Sequence, residues 1–192
     1  MGIVSLTNSS QLDHVILIEK FKSGESQAFE EIVNKYQSQV YNIAYNFLGN
    51  CEDAYDISQE VFIKVFKSIN NLKNDNSFFL WLKRITLNTC TDFVRRKNNE
   101  QLLDKLAYIQ ENYYNNNRTF DKLIEMGELK KTITKAVYKL PLKQREVFML
   151  RHYEELSLKD IAKVLGCSLG TVKAHLFRAT RKLRILLMPY LA

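Results

Sequence analysis

The stretch Ser157-Leu158-Lys159-Asp160-Ile161-Ala162-Lys163-Val164-Leu165-Gly166-Cys167-Ser168-Leu169-Gly170-Thr171-Val172-Lys173-Ala174-His175-Leu176-Phe177-Arg178-Ala179-Thr180-Arg181-Lys182-Leu183-Arg184 decides how this chain folds. Ser157 suits a helix N-cap, and Asp160 sets a carboxylate in the positive first turn. Ile161, Ala162 and Leu165 give that helix an apolar face. Gly166 then tolerates the left-handed backbone that ends it. Ser168 suits the cap of a second helix, whose Val172, Leu176, Ala179 and Leu183 share one face. Two helices joined by so short a turn cross steeply.

The other face of the second helix carries Thr171, Lys173, Ala174, Phe177, Arg178 and Arg181. This is chemistry suited to a DNA major groove. Arg178 fits the two acceptors of a guanine edge, and Lys173 and Arg181 fit phosphates. Ala174 and Phe177 fit thymine methyls, and the small Gly170 and Ala174 permit close approach. The same residues also fit a solvated basic helix in some other bundle. The caps, the Gly turn and the apolar spacing together favour the first reading, while charge alone fits both: 129–192 holds 14 Lys/Arg against 4 Asp/Glu, and 1–128 holds 14 against 17. The net charge of +7 thus divides into a basic C-terminal part and a mildly acidic remainder.

Upstream, apolar residues recur at helical spacing. Phe29, Ile32, Val33, Tyr36, Val40, Ile43, Ala44 and Phe47 form one stripe, punctuated by Gly49-Asn50. Ala54, Ile57, Val61, Val65 and Ile69 form the next. After a polar loop, Phe78, Leu82, Ile85, Thr89 and Phe93 form a third, ending at Arg95-Arg96-Lys97. Residues 112–118, with Tyr113-Tyr114-Asn115-Asn116-Asn117, read as a linker. Leu129, Ile133, Ala136, Val137 and Leu140 predict a further helix that stops before Pro141, which opens the next. With 6 Gly and 2 Pro in 192 residues, a turn-rich β architecture is disfavoured. The expectation is all-α, in two small domains.

Two upstream segments carry distinct chemistry. Glu52, Asp53, Asp56 and Glu60 lie in a run without a basic residue, and Asp53, Asp56 and Glu60 share a helical face. With Phe62 at its edge, that face suits a protein partner better than DNA; it also suits plain solvation. From Lys83 to Lys97 the balance reverses, with Lys83, Arg84, Arg95, Arg96 and Lys97 interleaved with Phe78, Phe79, Trp81 and Phe93. Basic side chains and aromatics together suit unpaired DNA, although Phe78, Trp81 and Phe93 also fit a core.

Three motifs in order carry a family resemblance. Asp53-Ala54-Tyr55-Asp56-Ile57-Ser58-Gln59-Glu60-Val61-Phe62 resembles the polymerase-binding signature of bacterial sigma factors. Phe78-Phe79-Leu80-Trp81-Leu82-Lys83-Arg84-Ile85-Thr86-Leu87-Asn88-Thr89 resembles their promoter-melting region. Leu140-Pro141, Arg145, Leu150-Arg151 and Leu156-Ser157 through Gly170-Thr171-Val172-Lys173 resemble their fourth conserved region. The match is to the extracytoplasmic-function (ECF) group of the sigma-70 family, over about 19–187. It implies a region 2-like helical bundle at 10–97, a flexible linker at 98–125, and a region 4-like helix-turn-helix domain at 126–190.

The resemblance also implies partners. Asp53, Asp56, Gln59, Glu60 and Phe62 match positions that meet the β′ clamp helices of core RNA polymerase, and the second domain meets the β flap. Leu72, Lys73, Asn74 and Ser77 of the loop, with Ile85, Thr86 and Asn88 of the next helix, match positions that hold a flipped base of the minus-ten element. Lys83, Arg84, Arg95 and Arg96 supply the basic setting of that site. Lys173, Ala174, Phe177 and Arg178 match the minus-thirty-five reader, so promoter DNA is the second partner; an anti-sigma factor is a third that the family suggests. Many members carry Ser-Arg where this chain has Ala174-His175, which leaves the preferred bases open.

Other classes fit less well. A stand-alone helix-turn-helix regulator predicts a ligand or phospho-acceptor domain before Leu129, and neither strands nor an acidic cluster of that kind is visible. An enzyme is not expected: His14, His152 and His175 are scattered, and no phosphate loop or nucleophile–base pair appears. Cys51, Cys90 and Cys167 lie far apart, outside any metal-binding spacing, so no cofactor is expected. Without an apolar run of about 18 residues or a secretion signal at 1–14, the chain is expected in the cytoplasm, with no membrane insertion.

Overall fold

In the computed structural model, which describes residues 5–72, 74, 77–107 and 128–190, the chain is a succession of helices. They are α1 (Ser5–Lys22), α2 (Gln27–Leu48), α3 (Cys51–Ser68), α4 (Phe78–Ala107), α5 (Glu128–Tyr138), α6 (Leu142–His152), α7 (Leu158–Leu165) and α8 (Leu169–Leu187). Among the described residues there is no strand. The loop position Lys73 and the linker candidate at 112–118 lie outside the described residues.

The α2–α3 hairpin follows from two adjacent residues. Gly49 takes φ 73°, and its N–H donates to the Tyr45 carbonyl at 2.8 Å, which closes α2. Asn50 is extended, and its side-chain oxygen accepts from the N–H groups of Glu52 (2.8 Å) and Asp53 (3.0 Å). Capping and two early carboxylates start α3 at once. The stripes then meet: Ile32, Val40, Ile43 and Phe47 of α2 share a core with Ala54, Ile57, Val61 and Val65 of α3. α1 has no clean apolar stripe, yet it packs on α2 and buries Ile18 completely. α4 completes the bundle with Phe78, Leu82, Leu87 and Cys90. Its helix runs to Ala107, ten residues beyond the Lys97 at which the apolar stripe stops. Helical backbone needs no buried face to continue, only residues that tolerate it.

The second half starts with α5, which ends before Pro141, and Pro141 (φ −54°) leads into α6. Ala136, Val137, Leu140, Ala179 and Leu183 make a small core between α5 and α8. α7 buries Ile161 and Val164, while Ala162 and Leu165 are half-buried. The apolar face is therefore rotated from the one the sequence suggests, because α7 packs between α8 and α4. Val147, Leu150, Ile161, Val164 and Val172 belong to the same continuous core as the α1–α4 bundle, so the two halves are docked together.

Phe47 has no exposed surface and lies where the halves meet, with the Arg145 guanidinium 5.4 Å from its ring centre. Phe47→Ala is expected to lower unfolding stability by about 3–5 kcal/mol in urea denaturation, the usual range for emptying a phenylalanine site. A loss below about 1 kcal/mol would contradict this placement.

Candidate nucleic-acid and polymerase interfaces

The α7–α8 pair is held by two local caps. The Ser157 hydroxyl accepts from the Asp160 N–H at 3.1 Å and donates to the Asp160 carboxylate at 2.6 Å. That bond, with Lys163 at 3.0 Å, holds the Asp160 carboxyl below its ordinary range. Gly166 then takes φ 62°, and Ser168, extended, accepts from the Thr171 N–H at 3.1 Å. Val172, Ala179 and Leu183 turn inward. Lys173, Phe177, Arg178 and Arg181 are exposed together, with Phe177 69% accessible, and Ala174 is half-buried. Thr171 is exposed as well, but its hydroxyl lies 2.9 Å from that of Ser168. Lys182 and Arg184, which the face assignment passed over, are exposed too and continue the cationic surface. The Lys/Arg excess of 129–192 was their signal.

α3 does not present its acidic residues as one face. Asp53 is half-buried and pairs with Lys97 of α4 at 3.0 Å. Glu60 pairs with Lys64 at 2.8 Å and Arg96 at 3.4 Å. The Lys64 hydrogen bond is the main reason its carboxyl sits below the ordinary range, with Arg96 adding to it against the opposing effect of burial. Asp56 and Gln59 are exposed beside Tyr55 (59% accessible) and Ile63 (54%). Tyr55, Gln59 and Ile63 line a shallow groove of about 660 Å³ between α2 and α3, shared with Tyr41 and with the nearly buried Phe62. The strip facing outward is therefore amphipathic, with Glu52 and Asp56 as its exposed carboxylates, rather than broadly acidic.

On α4 the predicted strand-binding residues separate into three groups. Arg84, Asn88, Arg95 and Arg96 are exposed, and Ile85 is half-buried. Arg95 and Arg96 face Asp92 (3.7 Å) and Glu60. Lys83, Thr86 and, in the preceding loop, Leu72 are interior. Lys83 is 2% accessible; its ammonium meets Glu154 at 2.5 Å and lies 4.2 Å from the centre of the Phe79 ring. The Thr86 hydroxyl donates to the Leu82 carbonyl at 2.9 Å. The Leu72 side chain is apolar and nearly buried, while its carbonyl accepts from Lys22 at 3.0 Å. Asn74 is exposed and Ser77 half-buried, with the Ser77 hydroxyl donating to the Asn74 carbonyl at 2.6 Å. Phe78 is core, and Trp81 packs partly buried against it.

Remaining reactive groups are quiet. The described residues contain no cluster of three His, Cys, Asp or Glu placed to hold a metal ion. Burial pushes the Cys90 thiol up to about 12. The His152 ring lies tilted against Phe148 with ring centres 4.5 Å apart, and burial, then Arg151, lowers its pKa. Among the described residues no helix is long and apolar enough to cross a membrane.

Comparison with known proteins gives these surfaces a context. Residues 32–100 match the family model of sigma-70 region 2, and residues 130–183 match that of sigma-70 region 4. The ECF RNA polymerase sigma factor SigW of Bacillus subtilis is 33% identical over 174 residues, covering 87% of this chain and 92% of that protein. The RNA polymerase sigma-H factor of Pseudomonas aeruginosa is 31% identical over 181 residues, covering 91% and 94%. The chain belongs to the ECF group of the sigma-70 family. It functions as an RNA polymerase sigma factor in transcription initiation, and the reading as a stand-alone regulator is not favoured. Its fold agrees: CnrH, solved in complex with the cytosolic domain of CnrY, aligns with a TM-score of 0.66 at 25% identity, covering 92% of this chain and 97% of that one. RpoE of Bartonella quintana, solved with the anti-sigma factor NepR, aligns at 0.63 and 21% identity, covering 83% and 96%.

Proposed function

We propose that the chain divides a sigma factor's work among three surfaces. The α3 strip of Tyr55, Asp56, Gln59 and Ile63, with its groove, docks on the β′ clamp helices of core polymerase. Apolar contact supplies most of the binding, and Asp56 supplies orientation. α8 enters the major groove of the minus-thirty-five element, where Arg178 reads a base edge and Lys173 and Arg181 grip phosphates. α4 and the loop before it capture an unpaired base of the minus-ten element through Asn74, Arg84, Ile85 and Asn88. The second half also meets the β flap, and an anti-sigma factor is a further partner.

Residues 10–97 form the polymerase-binding and melting unit, 98–125 the linker, and 126–190 the duplex reader. Two grips on one chain raise each other's effective concentration on a promoter. Melting is driven by holding flipped bases, with no nucleotide hydrolysed by this chain, which acts in the cytoplasm as a non-enzymatic subunit. The observation that carries the reading is the capped α7–α8 pair, with Lys173, Phe177, Arg178 and Arg181 exposed on one helix while a separate amphipathic groove lies on α2–α3.

The purified chain is expected to co-migrate with bacterial core RNA polymerase, and Asp56→Arg to weaken that association about tenfold, or ~1.4 kcal/mol. Failure of the wild-type chain to bind core enzyme would sink the polymerase-docking assignment. Arg178→Ala is expected to weaken promoter binding by the assembled enzyme about 10- to 100-fold, the worth of a bidentate base contact, with core binding intact. Loss of both together would show that the surfaces are not separate.

A further inference from the structure

Outside the surfaces assigned above, the described part of α1 meets the loop at 72–77 at both of its ends. The C-terminus of α1 is fixed at a definite residue. Gly24, at φ 103°, donates its N–H to the Phe21 carbonyl at 3.0 Å, and the Glu25 N–H donates to the Lys20 carbonyl at 3.1 Å. This is a Schellman pair of bonds, which satisfies the last carbonyls of α1 and stops it at Lys22. Three aromatic rings pin the same end. Phe21 of α1 lies 5.3 Å from Phe29 of α2 and 5.4 Å from Phe66 of α3, and those two rings are 5.0 Å apart between centres. Ile18, one turn back, has no exposed surface. Packing therefore sets where Lys22 stands.

The Lys22 ammonium donates to the Leu72 carbonyl at 3.0 Å, across 50 residues of sequence. That carbonyl lies just past the 3₁₀ turn Ile69–Asn71, whose closing bond runs from the Leu72 N–H to the Ile69 carbonyl at 3.0 Å. The helical ladder has ended there, and a lysine on a long stem supplies a charge-assisted donor in its place. The Ile69 and Leu72 side chains are buried, so the start of the loop is held on both sides of the backbone. His14 lies about two turns earlier on α1, roughly 12 Å along its axis. It is buried, with its ring centre 5.8 Å from that of Phe78, the first residue of α4, and 6.4 Å from that of Tyr36. Tyr36 and Phe78 are themselves 5.3 Å apart. One helix thus holds the first residue of the loop and the residue that follows it. Between these points Asn74 is exposed, and its carbonyl accepts from the Ser77 N–H (2.9 Å) and hydroxyl (2.6 Å).

We propose that α1 is a brace for the capture loop, and that Lys22 is a positioning residue which sets base selectivity at the minus-ten element through Leu72. Leu72 faces inward, so its part is to carry this constraint and not to touch a base. Discrimination needs the groups that meet a base to be in place beforehand; a loop free to shift offers its polar atoms to any base. Asn74 follows two residues after the carbonyl that Lys22 holds. Loss of the ammonium therefore lowers selectivity more than it lowers stability or total DNA binding. The selectivity role rests on the proposed capture of an unpaired base by this loop; the brace itself does not.

The test compares Lys22→Met, which keeps the stem and removes the donor, with Lys22→Arg, which keeps a cationic donor. In the free chain, hydrogen exchange of the Leu72 and Ser77 amides is expected to be about tenfold faster in Lys22→Met, with helicity and the amides of α2 and α3 unchanged. Lys22→Arg should exchange like the wild type. Each variant is then assembled with bacterial core polymerase and given a pool of single-stranded oligonucleotides with a randomised stretch, and the retained strands are sequenced. Wild type and Lys22→Arg should enrich one base at one position about tenfold, and Lys22→Met only about twofold, with total retention and core binding kept. Unchanged amide exchange in Lys22→Met overturns the brace. Base enrichment that survives Lys22→Met but is lost in Asn74→Ala overturns the selectivity role while the capture reading stands. Loss of core binding along with enrichment in Lys22→Met shows a general structural role and overturns the proposal. A wild type that enriches no base sinks the capture reading and the selectivity role together, and the exchange result still decides the brace.

Discussion

The Lys83 ammonium, against the Glu154 carboxylate and over the Phe79 ring, is the point at which the demands on α4 meet. α4 must close the N-terminal bundle with Phe78, Leu82, Leu87 and Cys90, and it must also accept α7 along another side. A cation in that position is tolerated only with a partner, and the partner comes from the C-terminal half. The ion pair therefore ties the placement of the C-terminal helices to the same helix to which strand capture is assigned. Removal of either charge leaves the other buried and uncompensated, so the pair specifies the docked arrangement more than it adds stability.

Charge is distributed with the same economy elsewhere. The carboxylates of α3 divide: Asp53 and Glu60 pair with Lys97 and Arg96 of α4, and Glu52 and Asp56 are exposed, Asp56 beside Tyr55. The pairs with α4 span two helices whose packing is set by their shared apolar core. The outer strip is left for a partner, with an apolar groove in place of a broad acidic field. On α8, by contrast, no ion pair joins the outward cations to an acidic side chain among the described residues, which suits the phosphate contacts proposed for it.

Features set by neighbouring residues were legible in the sequence. Gly49-Asn50, the Ser157–Asp160 cap, Gly166 and Ser168 all act within a turn of their own position, so residue type and spacing suffice to place them. The apolar stripes of α2 and α3 were legible for the same reason. Interactions between distant segments were not. Nothing near Lys83 announces Glu154, and helical spacing alone groups Asp53 and Glu60 with Asp56 because it cannot know that α4 brings Arg96 and Lys97 alongside. Thr86 and Leu72 read as polar-site and loop residues, yet tertiary packing buries both. α1 escaped because its burial depends on α2 and not on a periodic stripe of its own.

Run-off transcription tests the central claim most directly. Purified chain is mixed with bacterial core RNA polymerase lacking any other sigma factor, on fragments of the genome that encodes it. The account predicts discrete transcripts that require the chain, with start sites preceded by two shared elements at a fixed separation. Transcription that is absent, or identical with and without the chain, would contradict it.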